Sequence, residues 1–325
     1  MPARHPRAPT GPTGPSPKPA GLRSVTGAQW EIGHGKQRAV ITEVGATLRS
    51  YTLEERAIVA GFGPEEWAHG GRGQVLAPWP NRLGDGRYSF GGTDAQAALD
   101  EPERNNAIHG LVRWMPWELE GKAQNLVAVL CHVFPTPGYP FNLLVRVEYR
   151  LGRDGLTVTT VASNVGRSTL PFGLGFHPYL QPATEPIDTA LLVLPAHERL
   201  VLDQRGLPTG EVRAVQGTEY DFTEQRPIGP TQLDTAYTGI ERGIDRLAWI
   251  ELADPGTETA TRLWMDEGFG YLMCYTGETL DPEHRRRAVA VEPMTCPPDA
   301  FRSGRGLIIL EPGQQWEGAW GVVAR

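Results

Sequence analysis

Apolar and polar side chains alternate along most of this chain. In residues 145–151 the apolar Val145, Val147, Tyr149 and Leu151 interleave with Arg146, Glu148 and Arg150. This period of two belongs to a strand with one dry face and one wet face. Segments 38–53, 126–134, 156–165 and 306–325 follow the same rhythm. Only short helical turns are credible, at 64–67 and 101–105, and no strand alternates with a long amphipathic helix. A parallel α/β architecture is therefore disfavoured. The pattern predicts an all-β fold, a large antiparallel β-sandwich, as one unit over residues 22–325.

Composition narrows the function. The 39 glycines and 29 prolines favour many turns. A net charge of −7 gives no electrostatic footprint for nucleic acid or anionic lipid and suits a small neutral ligand. Residues 1–21 hold seven prolines, three glycines and, after Met1, no large apolar side chain, so they read as a disordered tail. The three cysteines, Cys131, Cys274 and Cys296, lack metal-finger spacing and point to a reducing compartment. No apolar run is long enough for a membrane span and no secretory h-region opens the chain, so the expected location is cytoplasmic.

Several polar positions stand out. Asn81 and Arg82 precede Leu83, and residues 83–90 read as a hairpin turning at Gly84-Asp85-Gly86. They are either a surface pair flanking a turn or a polar fork for vicinal hydroxyls. His109 lies between Asn105-Asn106 and Gly110, with Trp114 and Trp117 behind it as candidate platforms for a sugar face. His177 sits among Gly173, Gly175, Pro178 and Tyr179; a nearby carboxylate would raise its pKa and keep part of it protonated. Glu292 shares a strand face with Ala288 and Ala290, an odd place for a charge unless it is paired or working. Asp234 alone reads best as a turn cap. An imidazole and a carboxylate at strand ends can protonate one sugar oxygen while deprotonating its neighbour, which is ring-opening chemistry. No nucleophile elbow, phosphate loop, zinc-protease motif or dinucleotide fingerprint is present, so neither cofactor nor metal is expected.

Taken in order, Asn81-Arg82, Asn105-Asn106…His109-Gly110, His177-Pro178-Tyr179, Leu233-Asp234 and Glu292…Pro298-Asp299-Ala300 resemble the aldose 1-epimerase (galactose mutarotase) family over roughly residues 25–325. The resemblance implies a galactose mutarotase-like supersandwich with an open sugar cleft, working without a cofactor on a small-molecule sugar; the assembly expected is a monomer or homodimer. It also implies that Glu292 is the general base on O1 and His177 the general acid on the ring oxygen. His109 would hydrogen-bond near the reacting centre, Arg82 and Asp234 would hold other hydroxyls, and Asn81 would neighbour that set.

The family's asparagine-containing run is replaced by PYLQP after His177, and PWP precedes Asn81, which leaves the sugar open between free, phosphorylated and sulfonated hexoses. A second arginine converging with Arg82 is the structural mark of the anionic ones. Two other classes remain: a sugar-binding protein without turnover, and a glycoside hydrolase pairing Glu292 with Asp234.

Overall fold

The computed structural model describes residues 23–184 and 186–324; the segment 1–21, read above as a disordered tail, lies outside them. Two large antiparallel sheets dominate, one of 12 strands and one of nine. The larger runs from edge strand Gln29–His34 through Tyr179–Leu180, Val289–Met294, Tyr271–Tyr275 and Asp234–Ile240 to Pro208–Ala214. The smaller is centred on Gly155–Asn164, Gln315–Ala324 and Thr259–Met265. Among the described residues the single α-helix is Ala300–Ser303.

The alternation in the sequence becomes the layer between the sheets. Val145, Val147, Tyr149 and Leu151 are each 0% exposed, while Arg150 faces water. Full burial of side chains this size is worth about 1.5–3 kcal/mol each. One hydrophobic core runs from Ile32 to Val322 and joins both sheets, with Phe176 of the larger packed 5.1 Å from Trp320 of the smaller. The Tyr149 hydroxyl also crosses, donating to the Ala46 carbonyl at 2.7 Å.

Two local expectations change. Residues 83–90 are not a hairpin: Arg82–Gly84 pairs with Asn106–Ile108, and Arg87–Phe90 pairs with Thr93–Gln96. The turn itself forms, with Asp85 (φ 57°) and Gly86 (φ 62°) in the left-handed region, but Gly84 does not share it. Instead the Gly84 N–H donates to Asp299 and the Asp85 N–H to the Asn105 carbonyl, and these bonds steer the two strands to different partners. The expected helical turn at 101–105 is the 3-10 turn Pro102–Arg104; at 64–67 the chain makes a single hydrogen-bonded turn, the Glu66 N–H donating to the Gly63 carbonyl at 3.1 Å, and no helix.

Candidate active site

The central strand Val289–Met294 is buried on both faces, and its two faces do different work. Val289 and Val291 belong to the main core, whereas Ala290 packs with Tyr179 on the opposite face. Glu292 shares that second face by strand alternation. Pairing register then supplies its neighbour. Gly175 lies opposite Met294 and Tyr179 opposite Ala290, so His177, midway, lies opposite Glu292. His177 Nε2 is 3.3 Å from Glu292 Oε1, with the side chains only 6% and 3% exposed.

Packing fixes the imidazole. It stacks on the Tyr179 ring at 5.0 Å and 14°, and meets His109 edge-on at 5.3 Å. The Tyr179 hydroxyl donates to the Gly70 carbonyl at 2.9 Å. Gly71 (φ +75°) passes so close that a Cβ there would lie 2.6 Å from His177 Cδ2, which explains a glycine in this turn.

Burial controls the charge states. It pushes the Glu292 carboxyl well above its ordinary range, Asp234 adding to the shift and Arg82 opposing it. It pushes His177 down to about 3, Arg113 and Arg72 adding to burial and the residue's own backbone carbonyl opposing it. The neighbouring carboxylate thus does not raise His177 as the sequence suggested, because removal from water outweighs the attraction.

His109 is also held neutral, lowered by burial first and then by His177, Arg113 and Arg82. The His109 backbone N–H donates to the Asn81 carbonyl at 2.8 Å, while the ring Nδ1 accepts the Asn81 backbone N–H at 3.2 Å. That bond places the ring proton on Nε2, making His109 a neutral donor. Both residues pay for this arrangement with left-handed backbone, φ 63° for His109 and 56° for Asn81. The Asn81 Oδ1 accepts the Arg82 N–H at 2.9 Å, which leaves the amide NH2 as its free donor.

Arg82 is 8% exposed and donates from Nε to both Glu101 oxygens, at 3.1 and 3.0 Å. Although burial opposes it, that bond holds the guanidinium charged. Its Nη1 lies 3.9 Å from Asp234 Oδ2. All six polar residues given roles by the resemblance, Asn81, Arg82, His109, His177, Asp234 and Glu292, line one cavity of about 630 Å³. Among the described residues, no group of three or more His, Cys, Asp or Glu could hold a metal ion.

A family model for aldose 1-epimerase matches residues 28–321. The chain belongs to the aldose 1-epimerase family. It is 32% identical over 290 residues, 89% of this chain and 91% of the other, to the uncharacterized protein YihR of Escherichia coli. It is 26% identical to the galactose mutarotase of Sus scrofa, covering 92% and 93% of the two chains. The GalM/aldose epimerase homologue from C. elegans shares its fold, with a TM-score of 0.82 at 18% identity over 92% and 98% of the chains. Among the described residues no helix is long and apolar enough to cross a membrane.

The epimerase cleft also contains residues that the sequence did not single out. Glu101 anchors Arg82 and accepts from the Asn106 amide at 2.8 Å, but it stands in a charged run where nothing distinguishes it from a solvated acid. Arg104 and Arg113 reach the same cavity. Of the two proposed aromatic platforms, Trp114 lines the cleft, whereas Trp117 is 2% exposed and donates to the Val112 carbonyl, so it is core.

Proposed function

We propose that this family member interconverts the α and β anomers of a free, uncharged aldose by opening and reclosing the pyranose ring. The 3.3 Å approach of His177 Nε2 to Glu292 Oε1 carries the reading. O1 and O5 are both bonded to C1, so the groups that exchange protons with them must be immediate neighbours. Ring opening starts from the imidazolium–carboxylate form of the pair. Glu292 takes the O1 proton, His177 gives its proton to O5, the C1–O5 bond breaks, and C1=O1 becomes an aldehyde.

The pair ends as protonated carboxyl and neutral imidazole, the form that burial favours. A carboxylate with a raised pKa is the stronger base and an imidazolium with a lowered one the stronger acid, so burial strengthens both groups in the ion-pair form while making that form less populated. Rotation about C1–C2 presents the other aldehyde face. Reclosure returns the O5 proton to His177 and the Glu292 proton to O1. His109 Nε2–H, the Asn81 amide, Arg82 and Asp234 hold the sugar in register.

The charge of the cleft favours a neutral sugar over a phosphorylated or sulfonated one. Arg104 does converge with Arg82, its Nη1 3.8 Å from the same Asp234 Oδ2, but both guanidiniums already face Glu101 and Asp234. Asp100, Glu101, Glu103, Asp234 and Glu292 outnumber Arg82, Arg104 and Arg113 along the walls. A cytoplasmic setting belongs to the same proposal, supported by three buried free thiols.

Polarimetry on freshly dissolved α-D-glucose and α-D-galactose tests it. The protein is expected to hasten the approach to rotational equilibrium, with Glu292→Gln slower by at least about 10²-fold. Failure to accelerate any free aldose would sink the proposal.

A further inference from the structure

Seven of the nine tryptophans are buried or partly covered; Trp67 and Trp114 are 55% and 44% exposed. These two are neighbours, with ring centroids 5.8 Å apart and planes tilted by 37°. Both line the cavity that contains His177 and Glu292. Neither ring is loose. His69 meets Trp67 edge-on at 4.6 Å, and the Arg113 guanidinium, tied to Asp100 at 2.6 Å, lies 5.2 Å over Trp114. A protein that leaves two large indoles uncovered yet braced on the rim of a polar cleft forgoes their burial there, as expected where a ligand supplies the cover.

The chemistry of that ligand follows from the surface. An aromatic face attracts the C–H face of a pyranose, and indoles combine large contact area with little conformational freedom to lose. The cavity of about 630 Å³ is also larger than one pyranose fills, since pockets of about 300–1,000 Å³ hold drug-sized ligands. We infer that Trp67 and Trp114 form a second sugar subsite, so that the preferred substrate is a disaccharide whose free reducing end lies against His177 and Glu292. The inference rests on the epimerase reading and adds the identity of what is attached to the reacting ring.

Cellobiose, lactose and maltose are compared with glucose and galactose, by polarimetry for turnover and by intrinsic tryptophan fluorescence for binding. At least one disaccharide should exceed its hexose in kcat/KM and in affinity by about tenfold, equal to about 1.4 kcal/mol. Trp67→Ala and Trp114→Ala should each bring that ratio close to one, while Trp114→Phe, which keeps an aromatic face, should largely preserve it. A wild-type protein that favours hexoses, or alanine variants with an unchanged ratio, overturns the inference. So does an equal loss on both sugar sizes, which would make the indoles a cover for the hexose itself. Fluorescence separates the two proposals: tighter, tryptophan-dependent disaccharide binding without turnover defeats the epimerase reading alone, and no binding preference defeats the subsite whatever the rates.

Discussion

The larger sheet carries two histidine–glutamate pairs of the same composition. In the cleft, His177 and Glu292 are 3.3 Å apart and 6% and 3% exposed; farther along the sheet, His197 and Glu241 are closer, at 2.8 Å, but 56% and 69% exposed. The shorter contact is the one with less chemistry in it. Water screens the outer pair and solvates either member alone, so such pairs contribute about 0–1 kcal/mol. Removal from water is what makes the inner carboxyl a strong base and the inner imidazolium a strong acid. Proximity sets up proton transfer, and burial sharpens the acid and the base that carry it out.

The largest effect expected from this difference is on rate. Glu292→Gln and His177→Asn should each lower kcat by about 10²–10⁴, the range for removal of one positioned proton-transfer partner. The double variant should be little worse than either single one, because the two act as a unit. His197→Asn and Glu241→Gln should leave the polarimetric rate unchanged. A comparable loss in the outer variants would end the comparison.

A backbone contrast sharpens it. Gly71 (φ +75°) is pressed against His177, whereas Gly35 (φ +55°) has open space where a Cβ would go. Alanine at either position meets left-handed strain of about 1–2 kcal/mol, visible as a lower Tm. Only Gly71→Ala should also displace the imidazole and cut kcat, by roughly tenfold or more, because small misplacement of a reacting group is costly. Equal rates in the two variants would mean that the ring tolerates the shift.

The legible parts of the molecule were those where one local rule decides. Alternation at 145–151 and 156–165 marked strands because each has one wet face. In Val289–Met294 both faces are buried, and Glu292 stood out there as a charge in an apolar run. The contact between His177 and Glu292 depends on a strand register that joins residues more than a hundred positions apart, which no local pattern encodes. The false hairpin at 83–90 failed for the same reason, since the bonds that divert its strands come from Asn105 and Asp299. Glu101 was missed because an exposed acid and a buried anchor look alike until their neighbours are known.

The smallest expected effect is on stability, and its sign distinguishes the two pairs most directly. Glu292 has its folded pKa raised above the ordinary value of about 4.5, so the folded state holds a proton that the unfolded chain releases. Stability is therefore lost as pH rises from about 4.5 toward the folded value, by at most about 1.4 kcal/mol per pH unit. Glu292→Gln abolishes that loss. The inactive variant should be more stable than the parent at pH 7.5, seen as a higher Tm, with the gain shrinking toward zero below pH 4.5. His177 acts in the opposite direction: lowered to about 3, it costs stability as pH falls below about 6.5, and this cost persists in the variant. Glu241→Gln, on the wet surface, should change stability by less than about 0.5 kcal/mol and in a salt-dependent way. Melting curves across pH check all of this, and a Glu292→Gln protein that is less stable than its parent at pH 7.5 would show that the buried carboxyl holds the fold together instead of straining it.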